Sequence, residues 1–189
     1  MLKVLDAIQL STDYLTKKGI DEPRLNAELL LADVLGMKRL NLYLNFDRPL
    51  SEKEKDLYRT FLSRRAAYEP LQYILGYTEF WSYKFAVNKS VLIPRPETEI
   101  LIDTILNDYS DNNKELNILD IGTGSGIIAI CLAKNINCKV TALDISVDAI
   151  NIAKENAEFN EVSDKIVFVE KDILKFNDLN VQYDIIVSN

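Results

Sequence analysis

The residues best able to do chemistry lie in one stretch, Asp120-Ile121-Gly122-Thr123-Gly124-Ser125-Gly126. Apolar Ile118 and Leu119 precede the acid, and a helix-forming apolar run from Ile127 to Ala133 follows the last glycine. The pattern reads as a buried strand that turns sharply into a helix. Glycines serve where a backbone must bend tightly and come close to a ligand. Backbone N–H groups at the helix start then point at whatever sits above the sheet. The spacing restricts the ligand. A dinucleotide loop follows G-x-G-x-x-G, which needs glycine at position 127, and that position is Ile. No histidine occurs anywhere, which excludes a histidine triad or a histidine metal site. The two cysteines, Cys131 and Cys138, have neither a zinc spacing nor that of a disulfide framework and read as buried thiols. No metal site is expected.

The elements that must position this loop alternate between strand and helix. Strands are predicted over 116–121, 139–144, 165–169 and 183–188, and helices over 126–135 and 147–159. Such a βαβ series implies a parallel sheet with helices on both faces. Ligands in such sheets bind above the carboxyl ends of the strands. The residues there are the glycine loop, Asp144, Glu170-Lys171-Asp172-Ile173 and Asn189. Upstream, Ile93-Pro94-Arg95-Pro96-Glu97-Thr98-Glu99 opens a helix running to about Tyr109, with Pro96 in its first turn. Glu97 and Glu99 have a helix-dipole explanation. Asp111-Asn112-Asn113 reads as a polar loop.

Three regions are expected: a helical domain over 1–70, a β-hairpin linker over 71–93, and the sheet domain over 94–189. In the first, Gly19 stops a helix, and Asp21 is expected to cap the next one. Pro23 stands near its first turn and Gly36 past its end. Leu25, Leu29, Leu30, Ala32, Val34 and Leu35 form its apolar set. Ser51-Glu52-Lys53-Glu54 is a capping box. In the linker, an aromatic run through Phe80, Trp81, Tyr83, Phe85 and Val87 precedes a turn candidate at Asn88-Lys89-Ser90.

The 189 residues are 48% hydrophobic and 27% charged, as in an ordinary globular chain. No apolar run of about 18 residues is present, and the start of the sequence has no signal-peptide pattern. A formal charge of −7 argues against non-specific nucleic-acid binding. The expectation is a cytoplasmic protein with no membrane and no direct nucleic-acid partner.

The D-x-G-x-G-x-G stretch resembles motif I of class I methyltransferases that use S-adenosylmethionine. On that resemblance Gly122, Thr123, Gly124, Ser125 and Gly126 contact the cofactor, and Asp144 accepts both hydroxyls of its ribose. Asp172 accepts the adenine amine, and Ile173 packs on the ring. Asp144 could alternatively be a helix cap, and Asp172 a surface acid. A more specific resemblance comes from Pro70-Leu71-Gln72-Tyr73-Ile74-Leu75-Gly76, the Pro-Arg-Pro-Glu-Thr-Glu stretch, motif I and Val187-Ser188-Asn189 together. The combination is similar to HemK-type release-factor glutamine methyltransferases over nearly the whole chain.

That resemblance implies an α/β fold: an N-terminal substrate-recognition bundle, a β-hairpin linker and a partial doubly wound, Rossmann-like sheet. It implies methylation of the side-chain amide nitrogen of the glutamine in the Gly-Gly-Gln loop of peptide chain release factors. It also implies that Asn189 is catalytic and substrate-binding, as the first residue of an Asn-Pro-Pro-Tyr motif. Leu92 and Ile93 would form an apolar wall near the methyl group. The sequence stops at Asn189, which reads as a truncation that impairs catalysis. It would leave strand 183–188 a bare edge prone to self-association. Two other readings remain: an adenine or cytosine amino-methyltransferase, and a non-catalytic cofactor-binding or interaction fragment.

Overall fold

Apolar residues at helical spacing build the first part of the chain. A computed structural model describes residues 1–109, 114–175 and 182–189. The expected polar loop at 111–113 lies outside them. The chain divides into two compact units, Met1–Leu75 and Gly76–Asn189.

The first unit contains α1 (Val4–Lys17), α2 (Pro23–Val34), α3 (Arg39–Tyr43), α4 (Glu52–Ala66) and α5 (Leu71–Leu75). Val4, Ala7, Ile8 and Leu15 of α1 pack with Leu30 and Leu31 of α2, Tyr58 and Leu62 of α4, and Ile74 of α5. The Ser51–Glu54 capping box forms with both of its reciprocal bonds. Asp21 does not cap α2. The N-cap is Glu22 in the left-handed region (φ 49°), with no side-chain cap. The Asn26 side chain instead donates to the carbonyls of Asp21 and Glu22. The apolar stripe of α2 is also rotated from its expected position: Ala27, Leu30 and Leu31 are fully buried, and Leu25 and Leu29 only partly. The buried acid Glu28 is held by Arg24 Nε at 2.9 Å and Tyr43 OH at 2.8 Å, as an acid removed from water requires.

The second unit opens with a hairpin, β1 (Tyr77–Phe80) and β2 (Tyr83–Ala86). The chain reverses inside the aromatic run, at Trp81 (φ 48°) and Ser82 (φ 67°). Positive φ at both central positions suits the twist of a two-residue hairpin. The Trp81 indole donates to Asp103 at 2.8 Å, tying the turn to α6 (Pro96–Tyr109).

Then follow β3 (Leu116–Ile121), α7 (Ile127–Asn135), β4 (Cys138–Asp144), α8 (Val147–Phe159), β5 (Ile166–Glu170) and β6 (Ile185–Ser188). The strands form one parallel sheet in the order β5-β4-β3-β6. Side chains alternate across a strand. Leu116 and Ile118, Cys138, Val140 and Ala142, Ile166, and Val187 share one buried cluster with Ile102 and Ile105 of α6, the body of α7, and Ala157 of α8. The opposite face carries Val167 and Ile186, 63% and 65% exposed. Helices were expected on both faces. Among the described residues they bury against one.

Candidate functional site

The turn from β3 into α7 is made by three glycines in the left-handed region, Gly122 (φ 70°), Gly124 (φ 55°) and Gly126 (φ 82°). Their roles differ. A Cβ at Gly122 would meet nothing within 4 Å, so the backbone there is open to a ligand. A Cβ at Gly126 would lie 3.1 Å from the Ala153 Cβ and the Ile130 Cδ1. Gly126 therefore serves close packing against α8, and it is not among the residues that line the two cavities described next.

The loop N–H groups are turned inward as well. Gly122 and Thr123 donate to the Leu143 carbonyl at 2.8 and 2.9 Å, and Gly126 donates to Thr123. Gly124 N–H donates to Asp144 Oδ2 at 2.9 Å. The other oxygen of Asp144 accepts from Ser146 N–H at 2.9 Å. The expected helix-cap role of Asp144 is thus partly taken by Ser146, whose hydroxyl accepts from Ala149 N–H at the start of α8. Each Asp144 oxygen keeps a second lone pair for a ligand.

Asp120 is 1% exposed. Its Oδ2 accepts from the Thr123 hydroxyl at 2.7 Å. Its Oδ1 makes no hydrogen bond among the described residues, and the Ala129 N–H lies close enough to the carboxyl to favour its charged form. Burial pushes this carboxyl from 3.8 up to about 6; the Thr123 bond works against that shift, and the Asp144 charge adds to it. Burial pushes the Cys131 thiol up to about 12, with the Glu99 charge adding to it, which leaves little thiolate at neutral pH.

Two neighbouring cavities meet at Gly122. One, of about 280 Å³, is lined by Gly122, Leu143, Asp144, Ile145, Asp172 and Ile173, among others. The second, of about 60 Å³, is lined by Leu92, Pro94, Thr98, the loop from Gly122 to Ser125, Ile127, Ile128 and Asn189. The structure thus places Asp144, Asp172 and Ile173 on one cavity and Asn189 with most of the loop on the other, Gly122 lining both. Ile93 is not among the lining residues, and Pro94 is. The Asn189 side-chain amide donates to the Thr98 hydroxyl. Thr98 sits 6% exposed in the first turn of α6. The sequence reading missed Thr98 as a site residue and assigned Asp120, within the glycine stretch, no role of its own. A threonine between two acids at a helix start carries no spacing signal. Asp120 carried one, an acid at the end of an apolar strand.

This donor set discriminates between ligands. The N–H groups of Gly122, Thr123, Gly124 and Gly126 bond within the protein, and two carboxylates flank the loop. That balance opposes a diphosphate and suits a nucleoside ligand that carries positive charge.

Residues 6–76 match the family model for the PrmC N-terminal domain, and residues 97–189 that for ribosomal protein L11 methyltransferase (PrmA). A release factor glutamine methyltransferase of Chlorobaculum tepidum is 43% identical over 194 residues, covering 98% of this chain and 66% of that protein. Over nearly its whole length the chain is similar to release factor glutamine methyltransferases. A second of these, from Rhodopirellula baltica, is 40% identical and matches 98% of this chain and 64% of its own length. The chain therefore spans just under two thirds of the length of these relatives. An S-adenosylmethionine-dependent methyltransferase of Agrobacterium tumefaciens shares the fold, with a TM-score of 0.51 at 22% identity over 59% of this chain and 38% of that one. Among the described residues, no helix is long and apolar enough to cross a membrane.

Proposed function

We propose that this chain carries the cofactor-binding part and the first substrate contact of an enzyme that methylates the side-chain amide nitrogen of the glutamine in the Gly-Gly-Gln loop of peptide chain release factors, with S-adenosylmethionine as donor. The observation that carries this reading is the convergence of Thr98, Asn189 and the glycine loop on one small cavity beside the Asp144 cavity.

Asp144 would hold the ribose hydroxyls, and Asp172 with Ile173 the adenine. The carboxylates of Asp120 and Asp144 would favour the positive charge of the donor. When bound, S-adenosylmethionine supplies a methyl group on a sulfonium, which is a good leaving group. The amide nitrogen that receives it is a poor nucleophile, because its lone pair is delocalised into the carbonyl; a rotation barrier of about 18–20 kcal/mol gauges that resonance. The task of the protein is positioning. With Asn189 Nδ2 bonded to Thr98, Asn189 Oδ1 is left to accept a hydrogen of the substrate amide and fix its nitrogen over the cavity. Leu92 and Pro94 provide an apolar wall. The helical first unit would serve substrate recognition, and residues 71–93 would join it to the sheet domain. The exposed Ile186 on the β6 edge offers a route to self-association.

The test is calorimetric titration with S-adenosylmethionine and S-adenosylhomocysteine, with NAD as control and Asp144→Ala alongside. Two charge-assisted hydrogen bonds at about 1.5–3 kcal/mol each predict a loss on the order of 100-fold or more. Methyl transfer is then measured to a release factor and to its Gly-Gly-Ala variant. Binding of NAD in preference to both nucleosides would refute the cofactor reading. Equal labelling of the Gly-Gly-Ala variant would refute the substrate reading.

A further inference from the structure

Asn156 lies on α8, is 1% exposed, and takes no part in the site described above. All of its amide is used. Oδ1 accepts from Ala86 N–H at 2.6 Å. Nδ2 donates to the Ala86 carbonyl at 3.0 Å and to the Ser125 carbonyl at 2.8 Å. Within the hairpin, Ala86 pairs with Tyr77 at a position whose N–H and carbonyl face outward, away from β1. Asn156 takes up both groups as a third strand would. One turn further along α8, Asn160 Nδ2 donates to the Lys84 carbonyl at 3.1 Å. Two asparagines four apart, one on α8 and one at its C-cap, thus match two outward residues two apart on a strand. Only Asn156 continues beyond the hairpin, to Ser125 in the glycine loop.

The loop is therefore held from two sides. Its first half is fixed by Leu143 and Asp144 through the N–H groups of Gly122, Thr123 and Gly124. Its second half has Gly126 pressed against Ala153, with the Ser125 carbonyl bound by Asn156 one turn on. Three consecutive alternate glycines have large backbone freedom to lose. Fixing them before the ligand arrives removes an ordering cost from binding. We infer that Asn156 is a positioning residue for the glycine loop and that it couples the hairpin backbone at Ala86 to ligand affinity at the loop. This rests on the cofactor site proposed above.

The test compares Asn156→Asp with Asn160→Ala in the full chain. Asn156→Asp keeps the shape and the acceptor for Ala86 N–H but loses both donated bonds. Asn160→Ala weakens hairpin docking without touching the loop. The readouts are the Kd for S-adenosylhomocysteine, amide hydrogen exchange over 124–128 without ligand, and urea unfolding. The expected result is a Kd raised at least tenfold and faster exchange over 124–128 in Asn156→Asp. Asn160→Ala should keep its Kd within twofold and its loop exchange unchanged. Unchanged Kd and exchange in Asn156→Asp would overturn the inference. So would equal losses in Asn160→Ala, which would assign the effect to general hairpin stability. If the unsubstituted chain binds no S-adenosylhomocysteine, the cofactor reading fails, and exchange over 124–128 still decides the role of Asn156. Asn156→Ser, which keeps a short donor, replaces the Asp variant if that variant does not fold; faster exchange at the loop is again expected, and unchanged exchange overturns the inference.

Discussion

Asp120→Asn should make this protein more stable at neutral pH and leave it no more stable in acid. The Asp120 carboxyl is raised from 3.8 to about 6 in the folded state, chiefly by burial. A raised acid binds its proton more tightly folded than unfolded. Its contribution to stability is then fully present below pH 3.8 and is lost as pH rises through about 6. At about 1.4 kcal/mol per pH unit, that interval corresponds to about 3 kcal/mol carried against the fold at pH 7.5. Asparagine has the same shape and does not ionise. Its amide can donate to the Thr123 hydroxyl, which now accepts where it had donated, and its oxygen remains an acceptor. The assay is urea unfolding of both proteins from pH 4 to 8. The quantity read is the difference between them, which cancels every other titrating group. It should be about 0.6 kcal/mol at pH 4 and rise to about 3 kcal/mol in favour of the variant by pH 7.5. A difference that stays flat within about 0.5 kcal/mol over that range would refute the reasoning, because Asp120 would then be an ordinary carboxyl.

Other consequences can be measured separately. A positively charged ligand over the loop stabilises ionised Asp120, so its affinity should rise with pH through about 6 in the native chain and not in Asp120→Asn; equal pH profiles would contradict this. Thr98→Val should slow methyl transfer about five- to tenfold, the cost of one neutral hydrogen bond, with Thr98→Ser restoring it and cofactor affinity unchanged. A Thr98→Val enzyme as fast as the native one would separate Thr98 from the placement of Asn189. Ser82→Gly should stabilise by about 0.5–1 kcal/mol, since a non-glycine residue at φ 67° is strained in the left-handed region. Its thermal midpoint should rise by about 1–4 °C, and a fall would show that Ser82 makes a compensating contact.

The parts of this fold that were readable in advance rest on local physics. The strand–glycine–helix turn, the Ser51–Glu54 box and Pro23 at a helix start each place cause and effect within a few residues. What escaped the sequence depends on partners far along the chain. The hairpin reverses at Trp81-Ser82 although neither residue favours φ > 0, because Asp103 accepts a hydrogen bond from the indole N–H and the flanking aromatics Phe80, Phe85 and Tyr83 are packed in or against the core. The start of α2 has no side-chain cap, and its entry turn is instead shaped by Asn26, which accepts from Arg65 Nε and donates to the carbonyls of Asp21 and Glu22.

The candidate site divides along the same line. Asp144, Asp172 and Asn189 could be located because strands end where ligands bind in parallel sheets. Thr98 could not, because its link to Asn189 joins the first turn of α6 to the end of β6. The glycines show the limit most sharply. Three identical residues at equal spacing read as one ligand cradle, yet Gly122 faces open space and Gly126 faces Ala153. The difference lies in α8, whose small Ala153 and buried Asn156 form the surface on which the loop is laid. A loop shaped by a helix behind it can be changed without touching any atom that meets the ligand. For that reason substitutions on the inner face of α8 should alter affinity while leaving the lining of both cavities intact.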